Sequence, residues 1–252
     1  MRTRTRTRTR PNAEAHEQLA LWRKRGGKRP GAGRKPRGPR PSERHKQRPE
    51  HLARHPVHVV LRVVRDVGSL RRRCAYRAFR EAVLVAARRD DFRIVHISLQ
   101  RTHVHLLVEA DDQGALSRGM QSFQISAAKQ LNRAVGKARG GARRRGTVFP
   151  DRYHAEVITT PTQARHTLAY VLCNWRKHAE DRAGRAATWR VDPFSSALGF
   201  PDWAERLDQP TLWRGPPSYE PLLVFRPRTW LLATGWSRAG SISYDEVPSR
   251  KR

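Results

Sequence analysis

Two histidines one residue apart, His103 and His105, open the segment Thr102-His-Val-His-Leu-Leu-Val-Glu-Ala110. Side chains on a strand alternate faces, so both imidazoles point one way while Val104, Leu106 and Val108 point the other. Neutral imidazoles on one face of a rigid strand can hold two adjacent positions of a divalent cation. The same spacing fits a half-buried strand whose histidines bond to neighbouring groups, and His-x-His alone does not separate the two readings. Two more residues carry potential chemistry. Tyr170 and Asn174 are four apart, which places them one turn apart on one face of a helix. Tyr153 is a second tyrosine, and His154, His166 and His178 are further imidazoles, near these positions.

The elements that must position these groups follow from periodicity. Val57-His-Val-Val-Leu-Arg-Val-Val64 is β-branched and reads as a strand. Leu70 to Arg89 has apolar residues at helical spacing, with Arg and Glu between them, and reads as a basic amphipathic helix. Phe92 to Leu99 is a second strand, and Thr102 to Glu109 is a third. Ala115 to Val135 carries Leu116, Met120, Phe123, Ala127 and Leu131 at spacings of three and four, a second helix. Gly136 to Gly146 is a Gly/Arg loop. His154 to Ile158 forms a fourth short strand. Thr160-Pro161-Thr162 is a helix-start signal, and the third helix is predicted from about Gln163 to Glu180. The order β-α-β-β-α-β is the ferredoxin-like split β-α-β arrangement of the α+β class: an antiparallel sheet with helices on one face. A further C-terminal helix carries Tyr170. The first and third strands are central in this topology, so the histidine strand is expected to be rigid.

Composition narrows the partners. The chain has 252 residues with 52 Lys+Arg against 22 Asp+Glu, a formal net charge of +30. Forty-four of the basic residues are Arg, whose planar fork suits phosphate and stacks on bases. Such a charge calls for a polyanionic partner, and nucleic acid leads. No apolar run approaches the length of a membrane span, so no membrane partner is expected. The N-terminus lacks the apolar region of a secretory signal, and Cys74 and Cys173 form neither a zinc pair nor a disulfide framework. Both features point to a cytoplasmic, nucleoid-associated protein. Residues 1–50 hold 17 basic and 4 acidic residues among Gly and Pro. They read as a disordered basic arm able to lie along a phosphate backbone, or as a plain solvated tail. The folded domain is expected over 55–182. Residues 190–252, with Trp203, Trp213, Trp230 and Trp236 among prolines, form an extension of unassigned role.

On these motifs the chain resembles the Y1-type HUH transposases of the IS200/IS605 group, and within it the REP-associated tyrosine transposase branch. Thr102-His-Val-His-Leu-Leu-Val108 is similar to that family's His-hydrophobe-His strand. Val148-Phe-Pro-Asp-Arg-Tyr-His-Ala-Glu-Val-Ile158 resembles the strand before its catalytic helix. Ala169-Tyr-Val-Leu-Cys-Asn174 resembles its Tyr-x-x-x-Asn helix, and Gly31-Ala-Gly-Arg-Lys-Pro36 a basic arm common in the branch. The chain departs from the pattern at Thr102, where Asn is frequent, and after Asn174, where Trp175-Arg-Lys-His178 replaces Asn-Pro-Val.

The resemblance implies a metal-dependent single-stranded DNA endonuclease and strand transferase acting at hairpin-flanked sites. Tyr170 is then the nucleophile that forms a 5′-phosphotyrosine. His103, His105 and Asn174 hold Mg²⁺ or Mn²⁺. The partner is single-stranded or hairpin DNA, and the protein acts as a monomer or homodimer. Arg71, Arg72, Arg73, Arg88 and Arg89 could hold the hairpin backbone. Arg143, Arg144 and Arg145 of the Gly/Arg loop, and Arg34 and Lys35 of the arm, are further candidate DNA contacts. Each arginine also fits a solvated face. The competing reading is a catalytically inactive, domesticated DNA- or RNA-binding protein.

Overall fold

A computed structural model describes residues 50–182, 186, 188–205 and 218–248. Most of the basic arm, including Arg34 and Lys35, and Trp213 lie outside the described residues. Four strands, β1 (Val57–Arg62), β2 (Phe92–Leu99), β3 (His103–Ala110) and β4 (His154–Val157), form one sheet in the order β2-β3-β1-β4. All three pairings are antiparallel. This is the ferredoxin-like α+β order expected from the sequence, with β1 and β3 central.

The helices α1 (Arg73–Ala86) and α2 (Gln113–Ala138) connect the strands and cover one sheet face. Their apolar stripes explain why. Tyr76, Phe79, Ala82 and Val83 of α1, with Leu116, Met120, Phe123 and Leu131 of α2, are buried in one core. They meet Val57, Val59 and Leu61 of β1 and Val104, Leu106 and Val108 of β3 there. Each such side chain contributes about 1.5–3 kcal/mol by leaving water. The Asp112 carboxylate accepts from Ala115 N at 2.7 Å and caps α2. A Cβ at Gly119 would overlap the Phe92 ring, so helix and sheet approach there only through glycine. The helix runs to Ala138, so Gly136 and Lys137 belong to it and the Gly/Arg loop is shorter than the sequence suggested.

Strict alternation fails at one place in β2. The pairing shifts between Ile94 and His96, a bulge that leaves Val95 as the extra residue. Ile97 and Leu99 therefore rejoin Phe92 and Ile94 in the first core, while Val95 enters a second core on the opposite face.

That second core is built by α3 (Pro161–Leu172) and the C-terminal residues. Thr160 Oγ1 accepts from Gln163 N at 3.2 Å, and Pro161 occupies the first turn of α3. Phe200, Trp203, Leu231, Leu232, Trp236 and Ile242 pack against Leu168 and Leu172. The extension thus covers the sheet face opposite α1 and α2. It also closes the β2 edge, where Leu99 N donates to Phe194 O and Phe225 N to Ile94 O, both at 2.9 Å. The third helix is shorter than the expected span to Glu180. It ends at Leu172, and after Cys173 a separate turn, α4 (Asn174–Lys177), begins. Among the described residues no helix is long and apolar enough to cross a membrane.

His96 sits in this interior with Nδ1 3.1 Å from Ser196 Oγ, and burial pushes its imidazole down to about 4. The folded state binds fewer protons than the unfolded chain between pH 6.5 and 4, so stability falls as pH drops through that window. The His96 contribution amounts to about 3 kcal/mol by pH 4. Denaturant midpoints at pH 7 and pH 4.5 should show the loss. His96→Gln should flatten the difference, and an equal pH response in the variant would assign the loss elsewhere.

Candidate active site

The two central strands supply three imidazoles to one face. His105 pairs opposite Val60 and His103 opposite Arg62, while His58 lies opposite Leu107. The odd positions of β1 and the even positions of β3 are in the first core, so His58, His103 and His105 emerge on the α3 side. The His103 and His105 ring centroids are 4.8 Å apart. His58 Nε2 lies 3.1 Å from His105 Nδ1, with the two rings stacked at 5.3 Å and 19°. Tyr170, near the end of α3, sets its ring edge-on to His105 at 5.2 Å and to His58 at 5.8 Å. A cleft of about 710 Å³ opens over His58, His105, Tyr170 and Lys177. His154 and Glu156 of β4, His166 of α3 and the segment Glu246–Pro248 complete its walls.

The electrostatics follow from burial. His105 is buried, and desolvation holds its imidazole well below the usual range; the neighbouring His58, His103, His178 and Lys177 add to the effect. His103 is lowered to about 4, by burial first and by His178 and Arg62 next. Both rings are therefore neutral near pH 7 and keep a lone pair for a cation. Tyr170 is half-buried, and burial raises its phenol above the ordinary value. Lys177 lies beside it, with Nζ 4.5 Å from the Tyr170 ring centroid. Arg176, its neighbour, is engaged elsewhere: it donates to Tyr244 O, Arg190 O, Asp181 and Asp245.

The donor atoms suit a metal. His105 Nε2 is buried with no hydrogen-bond partner, as are Oδ1 and Nδ2 of Asn174. Orphaned buried polar atoms are costly unless a ligand or ion satisfies them. Among the described residues no group of three or more His, Cys, Asp or Glu is placed to hold a cation, so a site on these imidazoles needs an oxygen from another residue type. Asn174 itself begins α4, beyond the break at Cys173, and is fully buried. It does not continue the Tyr170 helix as the spacing suggested.

The other candidates separate. Tyr153 is buried in the first core, away from the imidazoles. His154 and His166 line the cleft, and the His178 ring centroid is 5.5 Å from that of His103. His58 and Lys177 are the residues that sequence reasoning left unassigned. Alternation in Val57-His-Val-Val-Leu61 was the available signal for His58.

Several candidate DNA-binding arginines are tied into the protein. Arg71 forks onto Asp192 at 2.8 and 2.9 Å, with its side chain 8% exposed. Arg89 forks onto Asp91 at 2.9 and 2.7 Å. Arg144 folds back onto Asp66 and onto Asn132 Oδ1 at 2.8 Å. Arg73 donates to Ser218 Oγ at 3.1 Å yet stays exposed, as do Arg72, Arg88, Arg143 and Arg145. Those five are the arginines of the set whose side chains remain open to a phosphate.

The Arg71–Asp192 pair fastens the start of α1 to the C-terminal segment. Removing one partner of a buried pair costs up to about 3–5 kcal/mol, and Glu180, 3.8 Å from Arg71 Nε, offsets part of that for Arg71. Asp192→Ala should lower the denaturant midpoint accordingly with an unchanged slope. A loss below about 1 kcal/mol, the range of an exposed pair, would show that the pair is screened by water.

Residues 52–172 match the family described as Transposase IS200 like. Among solved structures, a REP-associated tyrosine transposase bound to a REP hairpin is 15% identical, with a TM-score of 0.46 over 73% of this chain and 100% of that one. A transposase-like protein from Deinococcus radiodurans R1 is 13% identical, with a TM-score of 0.35 over 56% of this chain and 98% of that one. No curated protein matches the chain. Residues 52–172, which span the whole sheet, both crossover helices and the tyrosine helix, therefore belong to the IS200-like transposase family.

Proposed function

We propose that the protein cleaves and rejoins single-stranded DNA at hairpin-flanked sites, with Tyr170 as nucleophile and with His103, His105 and Asn174 as ligands for a divalent cation. The observation that carries this reading is the convergence, in one cleft, of Tyr170 and His105 from distant parts of the chain, with His103 4.8 Å behind His105. A structural role alone has no use for neutral imidazoles with an unpartnered nitrogen beside a phenol.

Tyr170 Oη attacks phosphorus. The O–P bond forms, the bond to the 3′ oxygen breaks, and the phenol proton is balanced by the proton taken up at the released 3′-OH. The 5′ phosphate stays on Tyr170, which preserves the phosphodiester energy for rejoining to another 3′-OH. Lys177 stabilises the phenolate that burial disfavours, because its ammonium lies over the ring face. A bound divalent cation supplies charge neutralisation at a nonbridging phosphate oxygen. Two imidazoles and one carboxamide suit Mn²⁺ better than Mg²⁺, which prefers oxygen ligands. The net charge of +30 and the exposed Arg72, Arg73, Arg88, Arg143 and Arg145 support a phosphate backbone as partner. Residues 1–50 fit a basic arm along that backbone, and 55–182 the catalytic domain.

With Mn²⁺ and single-stranded hairpin DNA, wild type should form a covalent protein–DNA adduct that survives denaturation. Tyr170→Phe should abolish the adduct while leaving DNA affinity within the wild-type range, and EDTA should abolish it as well. Adduct formation by Tyr170→Phe refutes the nucleophile. A wild type that binds hairpin DNA with a steep salt dependence but never cleaves a hairpin library is instead the binding-only protein.

A further inference from the structure

His58 has no part in the ligand set or the nucleophile described above, yet it makes a close polar contact with the imidazole face of β3. Its Nε2 lies 3.1 Å from His105 Nδ1, and both rings are buried and stacked. A neutral imidazole carries one N–H and one lone pair, so the direction of this hydrogen bond decides what His105 presents at its other nitrogen. If His58 were the donor, a neutral His105 would hold its proton on Nε2. That nitrogen is buried and meets no acceptor, so the N–H would bear the full desolvation cost. If His105 Nδ1 donates to His58, Nε2 carries a lone pair, which a cation satisfies.

We propose that His58 is a positioning residue: it accepts the Nδ1–H of His105, locks that ring, and holds His105 Nε2 as a lone pair for a divalent cation such as Mn²⁺. This rests on the reading of His103 and His105 as metal ligands. A ligating histidine commonly donates its other N–H to an acceptor that fixes tautomer and orientation. Here the acceptor is a second imidazole, on the neighbouring central strand, where the β1–β3 register holds it. The arrangement reaches further than the metal. His58 also packs edge-on against Tyr170 at 5.8 Å, so one side chain touches both the ligand and the nucleophile.

The test uses the full-length protein and two variants. His58→Gln keeps an oxygen that can accept from His105. His58→Phe keeps a flat ring but has no acceptor. The first readout is a long-range ¹H–¹⁵N spectrum of metal-free wild type at neutral pH, with the His105 signals assigned by their disappearance in His105→Gln. Nε2 of His105 should show the shift of an unprotonated nitrogen. The second is Mn²⁺ titration by calorimetry, where His58→Phe should weaken affinity by about 10–100-fold and His58→Gln should restore most of it. An Nε2–H tautomer in wild type, or wild-type affinity in a folded His58→Phe, overturns the proposal. His103→Ala and His105→Ala separate it from the metal reading. If these two lose Mn²⁺ and His58→Phe does not, the ligands stand and the positioning role falls. A wild type that binds no Mn²⁺ removes the ligand reading, and the role of His58 with it.

Discussion

The antiparallel pairing of β1 with β3 is the constraint on which the rest of the molecule depends. Both strands are central, so each is hydrogen-bonded on two sides and has little freedom to shift. Side chains alternate along them. One face therefore collects Val57, Val59, Leu61, Val104, Leu106 and Val108 into the core beneath α1 and α2. The other face receives His58, His103 and His105 as an unavoidable consequence. A one-residue slip would drive imidazoles into the apolar core and valines into the cleft. The hydrophobic face thus sets the register, and the register holds the imidazoles.

The second layer converts that display of imidazoles into a site. In an open sheet, three histidines would be solvated and would titrate near their ordinary range. Here α3 and the C-terminal residues cover the face, and burial keeps His103 and His105 neutral. The same burial disfavours ionised Tyr170, and the Lys177 ammonium lies over its ring. The cover is fastened by polar anchors as well as by Trp203 and Trp236. Glu109, buried on β3, accepts from Arg228 N, Thr229 N and Thr229 Oγ1. Arg165 of α3 forks onto Glu246 at 2.6 Å. The extension is therefore a wall of the site, since Glu246 to Pro248 line the cleft.

The division of the arginines follows from the same packing. A chain with so many cations spends some of them internally. Arg71, Arg89, Arg144, Arg165 and Arg176 each meet an acidic partner. Arg80, Arg101, Arg118 and Arg139 meet acids too, whereas Arg72, Arg88, Arg143 and Arg145 are exposed, where their forks suit phosphate. The exposed basic groups and the ion pairs that hold the C-terminal cover come from one residue type, sorted by position alone.

Local patterns in the chain were sufficient for the topology, for both crossover helices and for the facing of His103 and His105. Period-two alternation and period-3.6 stripes are properties of a segment, and hydrophobic burial enforces them wherever a sheet and helices pack. The motif Tyr170-x-x-x-Asn174 was legible as spacing, but the break at Cys173 was not, because nothing in Leu172-Cys173-Asn174 marks a stop. The bulge at Val95 was equally silent: alternation alone would have turned Ile97 and Leu99 to the wrong face. Which arginines are spent, and that Lys177 faces Tyr170, depended on partners 2 to 121 residues away. His58 is the sharpest case. Its own strand shows only a histidine among valines. The β1–β3 register, a relation between residues 47 apart, is what sets it against His105. Segment patterns report which face a side chain takes; only tertiary packing decides what that face meets.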